Sequence, residues 1–154
     1  MNVTEITIIL DNQNDLEQIK SCKDYLDRFG LRYEVTAKSA LCDPMGLQEL
    51  VKKVTVSGIK LFITAGELSS GLATAVASHT HLPVINIPLQ TPPSQNGHAL
   101  YALSQTPEGI PVATMGFGNA GARNAAILAA QILSMPDVHF RERLRLFKQN
   151  ACRF

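Results

Sequence analysis

The chain alternates between short, unbroken apolar runs and longer stretches in which apolar residues recur every three or four positions. Residues 6–10, Ile-Thr-Ile-Ile-Leu, form a β-branched run suited to a strand covered on both sides. The same character returns at residues 31–36, 61–65, 83–87 and 112–115. Between these runs the helical period predicts helices over 16–29, 45–56, 72–78 and 120–133, with a short one over 98–103 and a last one over 138–150. The punctuation agrees. Asn12 to Asp15 supply turn and N-cap chemistry, Gly30 and Gly58 stop the first two helices, and Pro136 breaks the chain before its tail. Adjacent prolines at 92 and 93 keep residues 88–97 irregular.

Strands separated by helices predict an α/β chain: a parallel five-stranded sheet covered on both faces, a three-layer αβα sandwich. The expected organisation is one αβα domain over residues 1–137. A helical tail, 138–154, then packs on that domain or on a neighbouring subunit. Ligands of such sheets sit beyond the carboxyl ends of the strands. The loops to watch are therefore 11–15, 39–44, 66–71, 88–97 and 116–124.

Composition narrows the classes. A chain of 154 residues is one domain's worth, and a net charge of +1 gives no electrostatic case for nucleic acid or an acidic membrane. Cations do gather in the tail, at Arg141, Arg143, Arg145, Lys148 and Arg153. There they interleave with Phe140, Leu144 and Phe147, which reads as an amphipathic helix with a packing or oligomer contact. No apolar run approaches the length of a membrane span, and the strand-like amino terminus predicts no secretory signal. Cys22, Cys42 and Cys152 lie far apart, without metal-ligand spacing. They predict a reducing, cytoplasmic setting and no metal.

The stretch from Gly116 to Leu133 carries the most information. Gly116, Gly118 and Gly121 satisfy the G-x-G-x-x-G pattern of dinucleotide sites. Such a fingerprint belongs after the first strand of a βαβ unit, whereas this one follows the last strand, so the dinucleotide reading fails. Two readings stay open. The glycines let backbone N–H groups approach an anion or carbonyl closely, or they merely allow a tight strand-to-helix turn. Ala125, Ala126, Ala129 and Ala130 give the helix a small-residue face for close packing.

Residues 109–133 closely resemble the C-terminal signature of the aminoimidazole ribonucleotide carboxylase and carboxyaminoimidazole ribonucleotide mutase family of purine biosynthesis. The pattern there is G-[IV]-P-V-x-T-x-x-x-G-x-A-G-A-x-N-A-x-x-L-A-A-x-I-L. Weaker matches follow in order upstream, at Asp15, Ser39-Ala40 with Pro44, Ala65-Gly66, Leu82 to Val84, and Pro88 to Gln90. Leu100-Tyr101, Gln105 and Pro107 fit as well, so the resemblance spans residues 4–137. It implies a flavodoxin-like αβα domain, a homo-octamer with active sites shared between subunits, and no metal or organic cofactor.

The departures fall in the loops. The family's first loop, glycine-serine-x-serine-aspartate, holds the ribonucleotide phosphate and ribose. Here it reads Asp11 to Asp15, with Asp15 at the ribose-binding position and Asn12 and Asn14 still able to hydrogen-bond. The second loop is serine-alanine-histidine-arginine-threonine-proline in the family, with histidine as general acid/base and arginine on the phosphate. This chain has Ser39, Ala40, Leu41, Cys42, Asp43 and Pro44. Leu41 cannot move a proton, and Cys42 offers a phosphate no fixed charge. Cys42 as a nucleophile has no base beside it in sequence. The third loop, Gly66 to Leu72, is one residue short and lacks the family's histidine-leucine-proline-glycine turn. Asp11, Asp43 and Glu67 add carboxylates around the expected phosphate position.

Candidate substitutes are His98, for proton transfer, and Arg123, for an anion, against the alternative that both are surface residues. His79 and His81 fall at the opposite end of the sheet. The ligand-binding set expected from the loops is Asn12, Asn14, Asp15, Ser39, Ala40, Cys42, Gly66, Ser69, Ser70, Gly118, Asn119 and Arg123. The resemblance, with these losses, implies a divergent family member that binds a small and nucleotide-like ligand. The alternatives are an active purine-pathway enzyme using substitute residues, and a non-catalytic regulatory paralogue.

Overall fold

The computed structural model describes residues 4–67, 70–89, 101 and 105–154. Its strands are β1 (Ile6–Leu10), β2 (Tyr33–Ala37), β3 (Leu61–Gly66), β4 (Val84–Pro88) and β5 (Ala113–Thr114). Its α-helices are α1 (Lys20–Phe29), α2 (Pro44–Val56), α3 (Leu72–Ser78), α4 (Gly118–Ser134) and α5 (Val138–Gln149). All strand pairs are parallel, in the order β2-β1-β3-β4-β5. This is the flavodoxin-like order, whose topological switch point lies between β1 and β3.

The apolar runs become strands because both faces are covered. Every residue of β1, β3 and β4 is buried. On one face Ile6, Ile8, Ile63, Ile85 and Ile87 pack against α1 and α4. On the other, Ile9, Phe62 and Val84 meet α2 and α3. The alanine face of α4 (Ala122, Ala125, Ala126, Ala129, Ala130) is buried, and its small side chains let α4 lie close to α1.

Several boundaries differ from the pattern's expectation by a residue or more. The first helix begins at Gln13 as a 3-10 segment, Gln13–Ile19, because Asn12 and Asp15 form a reciprocal capping box that starts the turn early. β2 begins two residues later than residue 31. Gly30 is left-handed (φ 70°), and Leu31 donates its N–H back to the Leu26 carbonyl at 3.0 Å, so Leu31 closes a Schellman motif on α1. β5 pairs over two residues only, at the sheet edge. α4 starts at Gly118, earlier than residue 120. The short helix expected over 98–103 lies outside the described residues.

The tail helix α5 packs on α1 and α4 of its own chain. Phe147 is buried there, with ring centroids 5.2 Å from Phe29 and 6.1 Å from Tyr25, both edge-on. Arg143 Nη1 donates to the Phe29 carbonyl at 2.7 Å, in the space a side chain at Gly30 would need. Among the described residues no helix is long and apolar enough to cross a membrane.

Candidate functional site

Three backbone bonds draw the carboxyl ends of four strands together. Lys38 N–H donates to the Leu10 carbonyl at 2.8 Å, Asp11 N–H to Ala65 at 3.0 Å, and Leu89 N–H to Gly66 at 3.0 Å. The residues that leave β1, β2, β3 and β4 (Asp11, Lys38, Glu67 and Leu89) therefore sit side by side at the switch point. Gly66 permits the closest approach. A Cβ there would lie 3.0 Å from both Asp11 Cβ and Ser70 Oγ.

In the first loop, Asn12 Oδ1 accepts from Asn14 N–H at 3.0 Å, and Asp15 Oδ2 accepts from Asn12 N–H at 3.2 Å. Partial burial pushes the Asp15 carboxyl above its ordinary range. The Asn12 N–H opposes that shift, while the negative charges of Asp11 and Glu67 add to it. Asp11, Asp15 and Glu67 thus form one acidic wall. Asp11 Oδ1 is buried without a hydrogen-bond partner among the described residues.

In the second loop Ser39 Oγ accepts from the N–H groups of both Leu41 and Cys42 at 3.3 Å, a serine turn that leaves Leu41 69% exposed and Cys42 exposed. Asp43 corrects an expectation. Its carboxylate caps α2 by accepting from Gly46 N–H at 2.9 Å, and Lys38 Nζ pairs with it. The Lys38 ammonium, then the Gly46 N–H, hold its carboxyl below the ordinary range. The charge expected to repel an anion is matched by a lysine beside it.

In the third loop buried Ser70 donates from Oγ to the Glu67 carbonyl at 2.8 Å and accepts from Leu72 N–H at 3.3 Å. Its hydroxyl shapes the turn into α3. Ser69 lies outside the described residues, as does His98.

The glycine-rich loop contributes one wall. Gly118 and Asn119 line a cavity of about 190 Å³ with Gln18, Ile87, Pro88 and Leu89. Asn119 Oδ1 accepts from Ser21 Oγ at 3.0 Å. Gly118 is left-handed (φ 69°), and a Cβ at Gly121 would collide with the Gly116 carbonyl, so the tight turn itself requires glycine at 118 and 121. Arg123 is set apart from the first three loops. It points along the α1 side, with its guanidinium 5.8 Å from the Tyr25 ring centroid, in a groove shared with Ser21, Asp24 and Arg28.

The structure therefore gathers Asn12, Asn14, Asp15, Ser39, Ala40, Cys42, Gly66 and Ser70 around the switch point and places Gly118 and Asn119 on the adjoining cavity. Sequence reasoning passed over Gln18, Lys38, Asn86 and Thr114. Asn86 carried a signal, being the one polar residue in the otherwise apolar run of β4. Among the described residues no group of three His, Cys, Asp or Glu side chains stands close enough to hold a metal ion.

Comparison with known proteins places this geometry. The AIR carboxylase family profile matches residues 5–153. The N5-carboxyaminoimidazole ribonucleotide mutase of Vibrio vulnificus is 34% identical over 144 residues, covering 94% of this chain and 89% of that protein. The mutase of Thermotoga maritima is also 34% identical, over 148 residues, covering 96% and 85%. The crystal structure of Treponema denticola PurE superposes with a TM-score of 0.87 at 23% identity, over 97% of this chain and 92% of that one. Its likeness is one of fold. The profile match, running from before β1 to beyond α5, and the sequence relatives establish that the chain belongs to the AIR carboxylase family.

Proposed function

We propose that this chain is a divergent AIR carboxylase-family protein that binds a small molecule at the switch point and does not carry out the family's standard carboxyl transfer. Leu41 carries the reading. It is 69% exposed in the loop after β2, where the family resemblance calls for the histidine that moves the proton. A hydrocarbon side chain can neither donate nor accept that proton. At the neighbouring strand ends, Asp11, Asp15 and Glu67 disfavour the phosphate of a ribonucleotide by on the order of 1 kcal/mol for each uncompensated carboxylate a few ångströms away. A neutral or cationic ligand suits that wall better.

One observation favours the alternative, an active mutase or carboxylase of purine biosynthesis. Asp15 keeps the ribose-binding position, held by the capping box, and its raised carboxyl retains a proton more readily than an ordinary aspartate. In either case we propose a homo-octamer, the family's assembly, in the cytoplasm. A non-catalytic regulatory role is the outcome if ligand binds without turnover.

The deciding experiment assays the purified chain with N5-carboxyaminoimidazole ribonucleotide and measures its binding by calorimetry. The expected result is turnover orders of magnitude below that of the curated relatives, with a gain in the Leu41→His, Cys42→Arg double variant. Turnover typical of those mutases in the unaltered chain overturns the proposal.

A further inference from the structure

The inner strands of a parallel sheet are expected to be apolar throughout, yet one row across this sheet is polar. Register places Thr64 of β3 beside Asn86 of β4, and Asn86 beside Thr114 of β5. Thr64 is fully buried and Asn86 is 5% exposed. Thr64 Oγ1 donates to Asn86 Oδ1 at 3.1 Å, which leaves the Asn86 amide nitrogen free to donate elsewhere. That nitrogen makes no further hydrogen bond to a described residue and is open to solvent. Thr114 Oγ1 is buried and has no partner among the described residues. Both side chains line a cavity of about 170 Å³ together with Glu67, Ser70, Thr74 and Thr106.

An unmet buried polar atom costs about 1–3 kcal/mol, so Thr114 Oγ1, which faces the cavity beside the Asn86 amide, calls for an occupant. Asn86 Nδ2 offers a second donor, and a carbonyl oxygen reached by both Asn86 and Thr114 satisfies the pair. The Glu67 carboxylate, exposed beside the cavity and without a salt-bridge partner among the described residues, repels anions and attracts an amine. We infer that this cavity binds a small amide carrying an amino group, with its carbonyl on Asn86 and Thr114 and its nitrogen toward Glu67. The pocket opens on the α2/α3 face, because Asn86 alternates with Ile85 and Ile87, which face α1 and α4. It shares no residue with the cavity at Gln18 and Asn119 but shares Glu67 and Ser70 with the switch-point loops, and so adjoins the proposed site.

The test titrates isotope-labelled protein with glycinamide, acetamide and acetate while following the Asn86 side-chain amide resonance. Glycinamide shifts that resonance with a dissociation constant in the millimolar range, acetamide does so more weakly, and acetate does not. Asn86→Leu, close in volume but without the donor, weakens glycinamide binding by about tenfold or more. Glu67→Gln narrows the preference of glycinamide over acetamide and leaves acetamide binding in place. Should Asn86→Leu fail to fold, Thr114→Val reports the same weakening. An unmoved resonance, acetate binding equal to glycinamide, or a soaked crystal holding only water in the cavity overturns the inference. Loss of carboxyl transfer alone changes none of these readouts.

Discussion

A Cβ placed on Gly121 would fall 1.5 Å from the carbonyl oxygen of Gly116, so the first turn of α4 rests directly on the backbone that leads into it. Alanine at Gly121 gains about 0.5–1 kcal/mol of helix preference. The clash is with backbone, which cannot rotate aside as a side chain would, so it must move the turn itself. Gly121→Ala is therefore expected to destabilise the chain by about 1–3 kcal/mol net in urea unfolding. Gly116→Ala is the control, because a Cβ there meets nothing within 4 Å and its φ is not positive. Equal stability of the Gly121 variant and the unaltered chain would show that the turn carries no such constraint.

The tail helix depends on Phe147, 3% exposed and packed edge-on against Phe29 and Tyr25. Phe147→Ala removes the centre of that aromatic cluster and leaves a cavity between α1, α4 and α5. A loss of about 3–5 kcal/mol follows from the burial, measurable by chemical denaturation. A variant within experimental error of the parent would mean that α5 does not add to the fold's stability.

Thiol chemistry separates the cysteines. Cys22 is buried on α1, and burial pushes its thiol up to about 12, while Cys42 and Cys152 are exposed. Only the thiolate reacts, and a reagent must also reach it. At pH 8 the native protein should show two fast thiols, with the third appearing on unfolding. Prompt modification of all three in folded protein would contradict the placement of Cys22.

The fold was legible because its signals are local. Unbroken β-branched runs mark strands buried on both faces, and Asn12 and Gly30 punctuate the first helical segment for reasons each residue carries in itself. The site was legible only in part. Residues 12, 15, 39 and 66 fall at strand ends, so topology alone assembles them. The partners of those residues depend on tertiary placement. Asp43 reads in sequence as an uncompensated charge, whereas Lys38 pairs with it in the fold, and only tertiary packing brings the Arg123 guanidinium over Tyr25. The polar row Thr64-Asn86-Thr114 was hidden for the same reason, since Asn86 alone stands out within its strand and the row exists only in the register of the sheet.

Asp15 provides the pH test of the acidic wall. Its folded-state value lies above the ordinary 3.8, raised first by burial and then by Asp11 and Glu67. The folded chain therefore holds that proton more tightly than the unfolded chain does. Ionised Asp15 subtracts stability above its folded value, and the penalty is relieved as pH falls through that value toward 3.8. Asn at this position keeps an oxygen to accept from Asn12 N–H and removes the charge. Asp15→Asn should thus melt slightly higher than the parent at neutral pH, by on the order of 1 °C. The gap should close as the pH approaches 3.8. Loss of stability in the variant at neutral pH, with a deficit that shrinks as acid protonates the parent's carboxylate, would instead mean that the carboxylate's hydrogen bonds to Asn12 and Gln18 outweigh its burial and its like-charged neighbours.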